Sequence, residues 1–418
     1  MNLTIDRARL ESELECLAGF SAAEPPAVTR IVFSEPDLRA RAYVKCLCAA
    51  AGLSVREDAV GNTFARWAGE SPELGAIGTG SHIDAIPNAG RYDGTVGVLG
   101  GLEAIRSLQA AGFRPRRSLE LLIFTAEEPT RFGLGCLGSR LLAGTLSTDV
   151  DGRLLDRDGR TLGEVRTAAG FSGDLGTVAL KPGHYAAFIE LHIEQGPLLE
   201  REGIRLGVVT AIAAPASLRV TIEGEGGHAG AVLMPDRHDA FLAAAEIALA
   251  LESAVKATGA IDTVGTCGVC DVFPGAVNSV PSRVRLELDI RDIDRARRDS
   301  VIDAVSRAAG QACHKRGVRL GWETINADDP AICDAKIIQA LTASAEAHSL
   351  AYRKMVSRAY HDSLFMSRVA PAGMLFIPCR LGYSHRPDEY ASLEDIAAGA
   401  QVLAEAMARL SCEDAAAR

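Results

Sequence analysis

Apolar residues recur at helical spacing over 1–18 and 36–52, where AYVKCLCAAAGL stops at Gly52. ELGAIGTGSHIDAIP then reads as a Gly-punctuated apolar strand running into a polar loop, after which Val98, Leu102, Ile105 and Leu108 return to helical spacing. RRSLELLIFTAEEP holds the apolar run Leu119 to Phe124, broken only by Glu120, and ends in two carboxylates and a proline. This strand-into-helix alternation predicts an α/β sheet. Beyond a more polar stretch at 145–183, FIELHIEQG alternates as a strand with Glu190, His192 and Glu194 on one face. From about 213 the pattern changes: ASLRVTIEGEGGH and SRVRLELDIRDID are period-two strands, each followed by a helical pattern, at 239–255 and 294–316. They predict an inserted α+β domain over 213–329, which divides the larger domain into 1–212 and 330–418. The last helix, 393–410, carries Ile396, Leu403, Met407 and Leu410 behind a Ser392 N-cap.

Composition narrows the partners. The 418 residues are 48% hydrophobic and 23% charged, enough apolar surface for large cores. Net charge is −10 and no Lys/Arg run stands out, so nucleic acid is not an expected partner. The first thirty residues carry Asp6, Glu11, Glu13 and Glu15 without a continuous apolar segment, unlike a signal peptide, and no 18-residue apolar span follows. A soluble, cytoplasmic protein that does not engage membranes is expected. Its ten irregularly spaced cysteines predict reduced thiols rather than a disulfide framework.

Potential metal ligands sit where strands give way to loops: His82 and Asp84 in HID, Asp93, the adjacent pair Glu127-Glu128, His192, and His385 in GYSHRP. Imidazole with carboxylate suits Zn²⁺, Mn²⁺ and similar ions. Each residue alone reads as a loop cap or hydrogen-bonded side chain; their joint order carries the metal reading. A two-metal hydrolytic site needs ligands private to each ion, a bridging carboxylate and a separate base, and this chain has residues for each part. Pro129 biases Glu128 toward extended backbone, so Glu127 and Glu128 can point in different directions, one to ligate and one to handle a proton.

GSHIDAIPNAGRYDG, FTAEEPTRFGLGCLGSR, ELHIEQGPLLE, GEGGHAGAVLMPDRHDA, NSVPSRVRLELDIRDID, SRAYHDSLFM and GYSHRPDEY together resemble the M20-type dinuclear metallohydrolases, in their amidase, hydantoinase and carbamoylase branch. YDGTVGVLGGLEAI, TAIAAPASL, GGHAGAVLMP and SRAYHDSLFM are most similar to the members that cleave ureidoglycolate. The resemblance implies a mixed-sheet, zinc-peptidase-like catalytic domain with an inserted dimerisation (lid) domain, a homodimer, and a small ureido acid as substrate. It implies two divalent ions per subunit, Mn²⁺ or Zn²⁺ with Co²⁺ or Ni²⁺ possible: His82 and His192 on one, Glu128 and His385 on the other, and Asp93 between them. Glu127 would be the general base and acid, with Asp84 orienting His82. Gln195, His228 and Asn278 would contact the amide or ureido group and Arg291 the substrate carboxylate, while His361-Asp362 supports the site. The alternative substrates within the branch are N-carbamoyl-L-amino acids and allantoate.

Other features read more plainly. On the residues alone, Arg291 in RDID is first an ordinary ion pair. Cys267 and Cys270 have CxxC spacing but no second pair or nearby His, which suggests core thiols. Cys136 as a thiol nucleophile would require a histidine beside it, and none adjoins it in sequence.

Overall fold

A computed structural model describes residues 3–413. They form two compact units. The first runs to Thr210 and resumes at Cys333–Met355 and from His361 onward; the second comprises Ala211–Ile332 and Val356–Tyr360. The inserted segment read from the pattern was 213–329; the second unit adds two or three residues at either end and the return segment 356–360, which no linear periodicity distinguishes.

The first unit is built on a mixed sheet whose strands run, in spatial order, Ser54–Glu57, Thr63–Trp67, Leu119–Phe124, Ala76–His82, Tyr185–Ile193, Ala372–Ile377 and Leu206–Ile212. The four central strands from Leu119–Phe124 to Ala372–Ile377 are parallel, and their outer neighbours are antiparallel. Leu121, Ile123, Ile189, Leu191 and Leu375 pack on one face with helices Thr95–Ala110 and Leu393–Cys412. Leu122, Phe124 and Phe188 turn to the other, against Leu137, Leu141 and Leu162. A strand covered on both faces has no polar side, which is why Leu119–Phe124 reads as an apolar run rather than an alternation. Its exception, Glu120, is buried and satisfied: it accepts from Tyr185 Oη at 2.7 Å and Arg66 Nε at 2.7 Å.

The last helix begins as its sequence suggests, with Ser392 Oγ accepting from the Asp395 N–H at 3.1 Å. One expectation changes. Glu194 is not on the strand face with Glu190 and His192; the strand ends at Ile193, and the Glu194 carboxylate caps the backbone N–H groups of Leu198 and Leu199.

The second unit is a four-stranded antiparallel sheet in the order Val264–Phe273, Arg283–Asp292, Ala214–Glu223, Arg319–Ala327. The two strands legible as period-two patterns are its centre, paired with Leu218 opposite Leu288. Leu218, Val220, Ile222, Val284, Leu286, Leu288 and Ile290 face helices Ala240–Ala257 and Arg295–Arg316. The opposite face carries cross-strand ion pairs such as Arg219–Glu287 at 3.0 Å. Cys267 and Cys270 lie on an edge strand and Cys270 is exposed, so this pair is not the core pair expected. Among the described residues no helix is long and apolar enough to cross a membrane.

Candidate active site

Four parallel strands bring their carboxyl ends to one edge of the sheet, where ligands bind in open α/β sheets. His82 ends its strand, and His192 is next to last in the neighbouring one. The register Thr79 opposite Ile189, carried three residues on, sets the two histidines level. Asp93 comes in the turn before helix Thr95–Ala110, Glu127 and Glu128 follow the strand ending at Phe124, and His385 follows the strand ending at Ile377.

These residues converge on Asp93. Its Oδ1 lies 3.2 Å from His192 Nε2 and 3.5 Å from His82 Nε2. Its Oδ2 lies 3.5 Å from His385 Nε2, which is 3.3 Å from Glu128 Oε1. Two ligand groups result, His82–Asp93–His192 and Asp93–Glu128–His385, each with its donor atoms within 4.8 Å of one another. Nitrogen and carboxylate donors grouped in this way fit divalent transition ions. Gly94 keeps the cradle open: in its left-handed conformation (φ 67°), a Cβ there would lie 2.5 Å from His82 Nε2. The electrostatics agree. Burial opposes charge on Asp93, yet the rings of His192 and His82 outweigh it and hold the carboxyl well below its usual range. The Glu128 carboxylate, aided by Asp93, raises His385 to about 9. A cluster that draws protons onto its imidazoles offers the same negative field to cations.

Glu127 and Glu128 diverge as their order suggested. Ala126 is left-handed (φ 55°), Glu128 faces His385, and Glu127 Oε2 lies 3.9 Å from His82 Nε2. Burial lifts the Glu127 carboxyl well above the usual range. Its Oε1 accepts from the Cys136 thiol at 3.5 Å. Burial, reinforced by the Glu127 charge, pushes that thiol well up. A thiol kept protonated is unsuited to nucleophilic attack.

Asp84 takes a different position from the one expected. His82 Nδ1 lies 3.0 Å from the backbone carbonyl of Asp84 and 3.7 Å from its carboxylate. The carboxylate instead accepts the backbone N–H groups of Glu127 at 3.3 Å and Glu128 at 3.1 Å. Asp84 thus orients His82 through its main chain and fixes the two glutamates through its side chain. His361 packs its ring against His192, with centroids 4.6 Å apart, and Asp362 accepts from Ser139 Oγ at 2.5 Å.

Gln195 donates from Nε2 to Asp93 Oδ2 at 2.7 Å, while its Oε1 is buried and accepts nothing. In the second unit, His228 and Asn278 come together: the short strands Gly227–His228 and Ser279–Val280 pair, and the Ala229 N–H donates to the Asn278 carbonyl. Both side chains are exposed. The Arg291 guanidinium donates to both carboxylate oxygens of Asp289, at 2.7 and 3.2 Å, across one strand face. Sequence reasoning overlooked Glu389 and Ser384, which contact the Asp93 segment. Both lie in GYSHRPDEY beside His385, but no pattern separates Glu389 from its neighbour Asp388, which is exposed and bonds Arg386.

Comparison with known proteins places this geometry. The model of peptidase family M20/M25/M40 matches residues 78–409. A ureidoglycolate hydrolase from Oryza sativa subsp. japonica is 54% identical over 98% of this chain and 86% of its own length. The crystal structure of AtUAH in complex with glyoxylate is 53% identical, with a TM-score of 0.90 over 98% of this chain and 99% of that one. An amidase of the hydantoinase/carbamoylase family from Burkholderia multivorans is 34% identical, with a TM-score of 0.89 over 98% and 99%. The sheet-edge cluster and the two-unit chain that carries it are therefore those of a member of the peptidase M20/M25/M40 family, in its hydantoinase/carbamoylase amidase branch.

Proposed function

We propose that this protein is a metal-dependent amidohydrolase that cleaves the ureido C–N bond of ureidoglycolate. The observation that carries the reading is Asp93 facing two ligand groups at once, with the non-ligating carboxylate of Glu127 beside them. The substrate follows from the close similarity to the rice ureidoglycolate hydrolase and to AtUAH. His82 and His192 would hold one ion and Glu128 and His385 the other, with Asp93 serving both; Mn²⁺ or Zn²⁺ suits the donors, and Co²⁺ or Ni²⁺ would also fit.

Such ions, when bound, polarise the scissile carbonyl and lower the pKa of the attacking water. Glu127 Oε2 takes the proton of that water, since Oε1 is occupied by Cys136, and later returns it to the leaving nitrogen. Asp84 holds Glu127 in place for both transfers. The open acceptor Gln195 Oε1 takes a ureido N–H. Asn278 and His228 of the partner subunit contact the ureido group, with His228 donating to the developing oxyanion, in a homodimer formed through the second unit. Water adds to the carbonyl carbon and the C–N bond breaks, giving carbamate and 2-hydroxyglycine. These decompose to carbon dioxide, ammonia and glyoxylate. The protein is cytoplasmic and engages neither nucleic acid nor membranes.

Arg291 holds the substrate carboxylate, exchanging Asp289 for it. Replacement by Lys keeps the charge but loses the planar fork. Arg291→Lys should lower kcat/KM for ureidoglycolate by about tenfold or more with metal content unchanged. An analogue lacking the carboxylate should be poor with both proteins and nearly insensitive to the change. Steady-state kinetics on the two compounds decide this; an unchanged kcat/KM for the acid would leave Arg291 as the partner of Asp289 and nothing more.

A further inference from the structure

Three buried carboxylates near the sheet edge each grip a pair of successive backbone N–H groups. Asp84 takes those of Glu127 and Glu128, Glu194 those of Leu198 and Leu199, and Glu389 those of Tyr92 and Asp93. Glu389 does more than the other two. Its Oε1 accepts from Tyr92 at 2.7 Å and Asp93 at 3.1 Å, while its Oε2 lies 3.0 Å from Ser384 Oγ. Ser384 Oγ in turn lies 2.5 Å from Asp93 Oδ2. One carboxylate therefore fastens the turn that carries Asp93 to the segment that carries His385, across 296 residues of sequence.

The segment needs such a tie. His82, Asp93, Glu128 and His192 are buried, whereas His385 has 47% of its side chain exposed and sits in a left-handed conformation at φ 60°. A non-glycine residue there costs backbone energy unless its surroundings hold it. Beside the Glu389 carboxylate, it is the hydroxyl of Ser384, the residue before His385, that bonds the Asp93 turn from this segment. The sequence also makes room for Glu389: a Cβ on Gly90 would lie 2.3 Å from the Glu389 Cβ. Any other residue at 90 would push the carboxylate out of place.

We propose that Glu389 is a positioning residue that, through Ser384 and the backbone of Tyr92 and Asp93, sets the affinity of the Asp93–Glu128–His385 group for its ion. The inference rests on the two-ion reading above. Without Glu389 the tie between the His385 segment and Asp93 rests on an unsupported Ser384 hydroxyl, and the ligands of the second ion are held less firmly. The first group depends less on it, because His82 and His192 are fixed by their strands and by the carbonyls of Asp84 and Ile193.

The test is a calorimetric titration of metal-stripped protein with Mn²⁺, with bound metal counted after dialysis. The wild type should take up two ions. In Glu389→Ala the second should bind about 10–100-fold more weakly with the first retained, the usual scale for groups that orient ligands. Ser384→Ala, a small change in a half-buried hydroxyl, should weaken the same ion and serves if Glu389→Ala does not fold. Glu389→Gln should restore the second ion, because its amide oxygen can accept both N–H groups and its NH₂ can donate to Ser384. A general loss of packing would not be rescued in this way. Two ions in the wild type and equally tight ions in Glu389→Ala, or in Ser384→Ala, would overturn the inference alone, and so would a Gln variant as weak as the Ala one. A wild type that binds a single ion would overturn the two-ion reading and the inference with it.

Discussion

Glu127→Gln is expected to retain its full metal content and to lose about 10²–10⁴-fold in kcat, the range associated with a positioned general base. The amide matches the carboxylate in shape, and its oxygen can still accept from Cys136, so the local packing should persist. What it cannot do is take a proton from water and return it to the departing nitrogen. Glu127 is buried among groups that include His82, Glu128 and Asp84, and burial favours its protonated form. That is a poor setting for a structural carboxylate and a suitable one for a group that must carry a proton through part of each cycle. Metal analysis with single-turnover kinetics separates the two effects; near-normal kcat in this variant would mean that the proton is handled elsewhere.

Asp93→Ala should be the more drastic change. Asp93 is the one residue common to both ligand groups, and its two oxygens face different pairs of partners. Removing it leaves His82 and His192 without their acid and His385 with Glu128 alone, so both ions should be lost at ordinary free concentrations and turnover should fall to background. Thermal unfolding of the metal-free proteins would show whether the fold survives. Retention of one tightly held ion would mean that Asp93 belongs to a single site and is not shared.

How much of this was legible in the chain follows from the kind of signal each part leaves. Periodicity exposed the central strands of the second unit because one face is buried and the other charged. Its edge strands bury no residue fully, so their pattern is fainter: a strand-like run around Cys267 and Cys270 marks Val264–Phe273, while nothing marks Arg319–Ala327. Metal-ligand types at strand ends stand out because parallel strands collect them at one edge, and His82, Asp93, Glu128, His192 and His385 do meet there. Hydrogen bonds to backbone amides leave no such mark. The bond from Asp84 to two amides, and that from Glu389 to two others, depend on chain paths that no local pattern encodes. Cys136 shows the same limit from the other side: with no histidine beside it in sequence, its thiol lies against Glu127, nine residues away.

The central claim, hydrolysis of a small ureido acid with ureidoglycolate preferred, is tested most directly by steady-state kcat/KM of the Mn²⁺-loaded protein on ureidoglycolate, allantoate and a series of N-carbamoyl-L-amino acids. The account predicts the highest value for ureidoglycolate, with glyoxylate as the measured product and activity abolished by chelation and restored by added Mn²⁺. A higher kcat/KM for an N-carbamoyl-L-amino acid or for allantoate, or turnover of ureidoglycolate that survives removal of the metal, would contradict it.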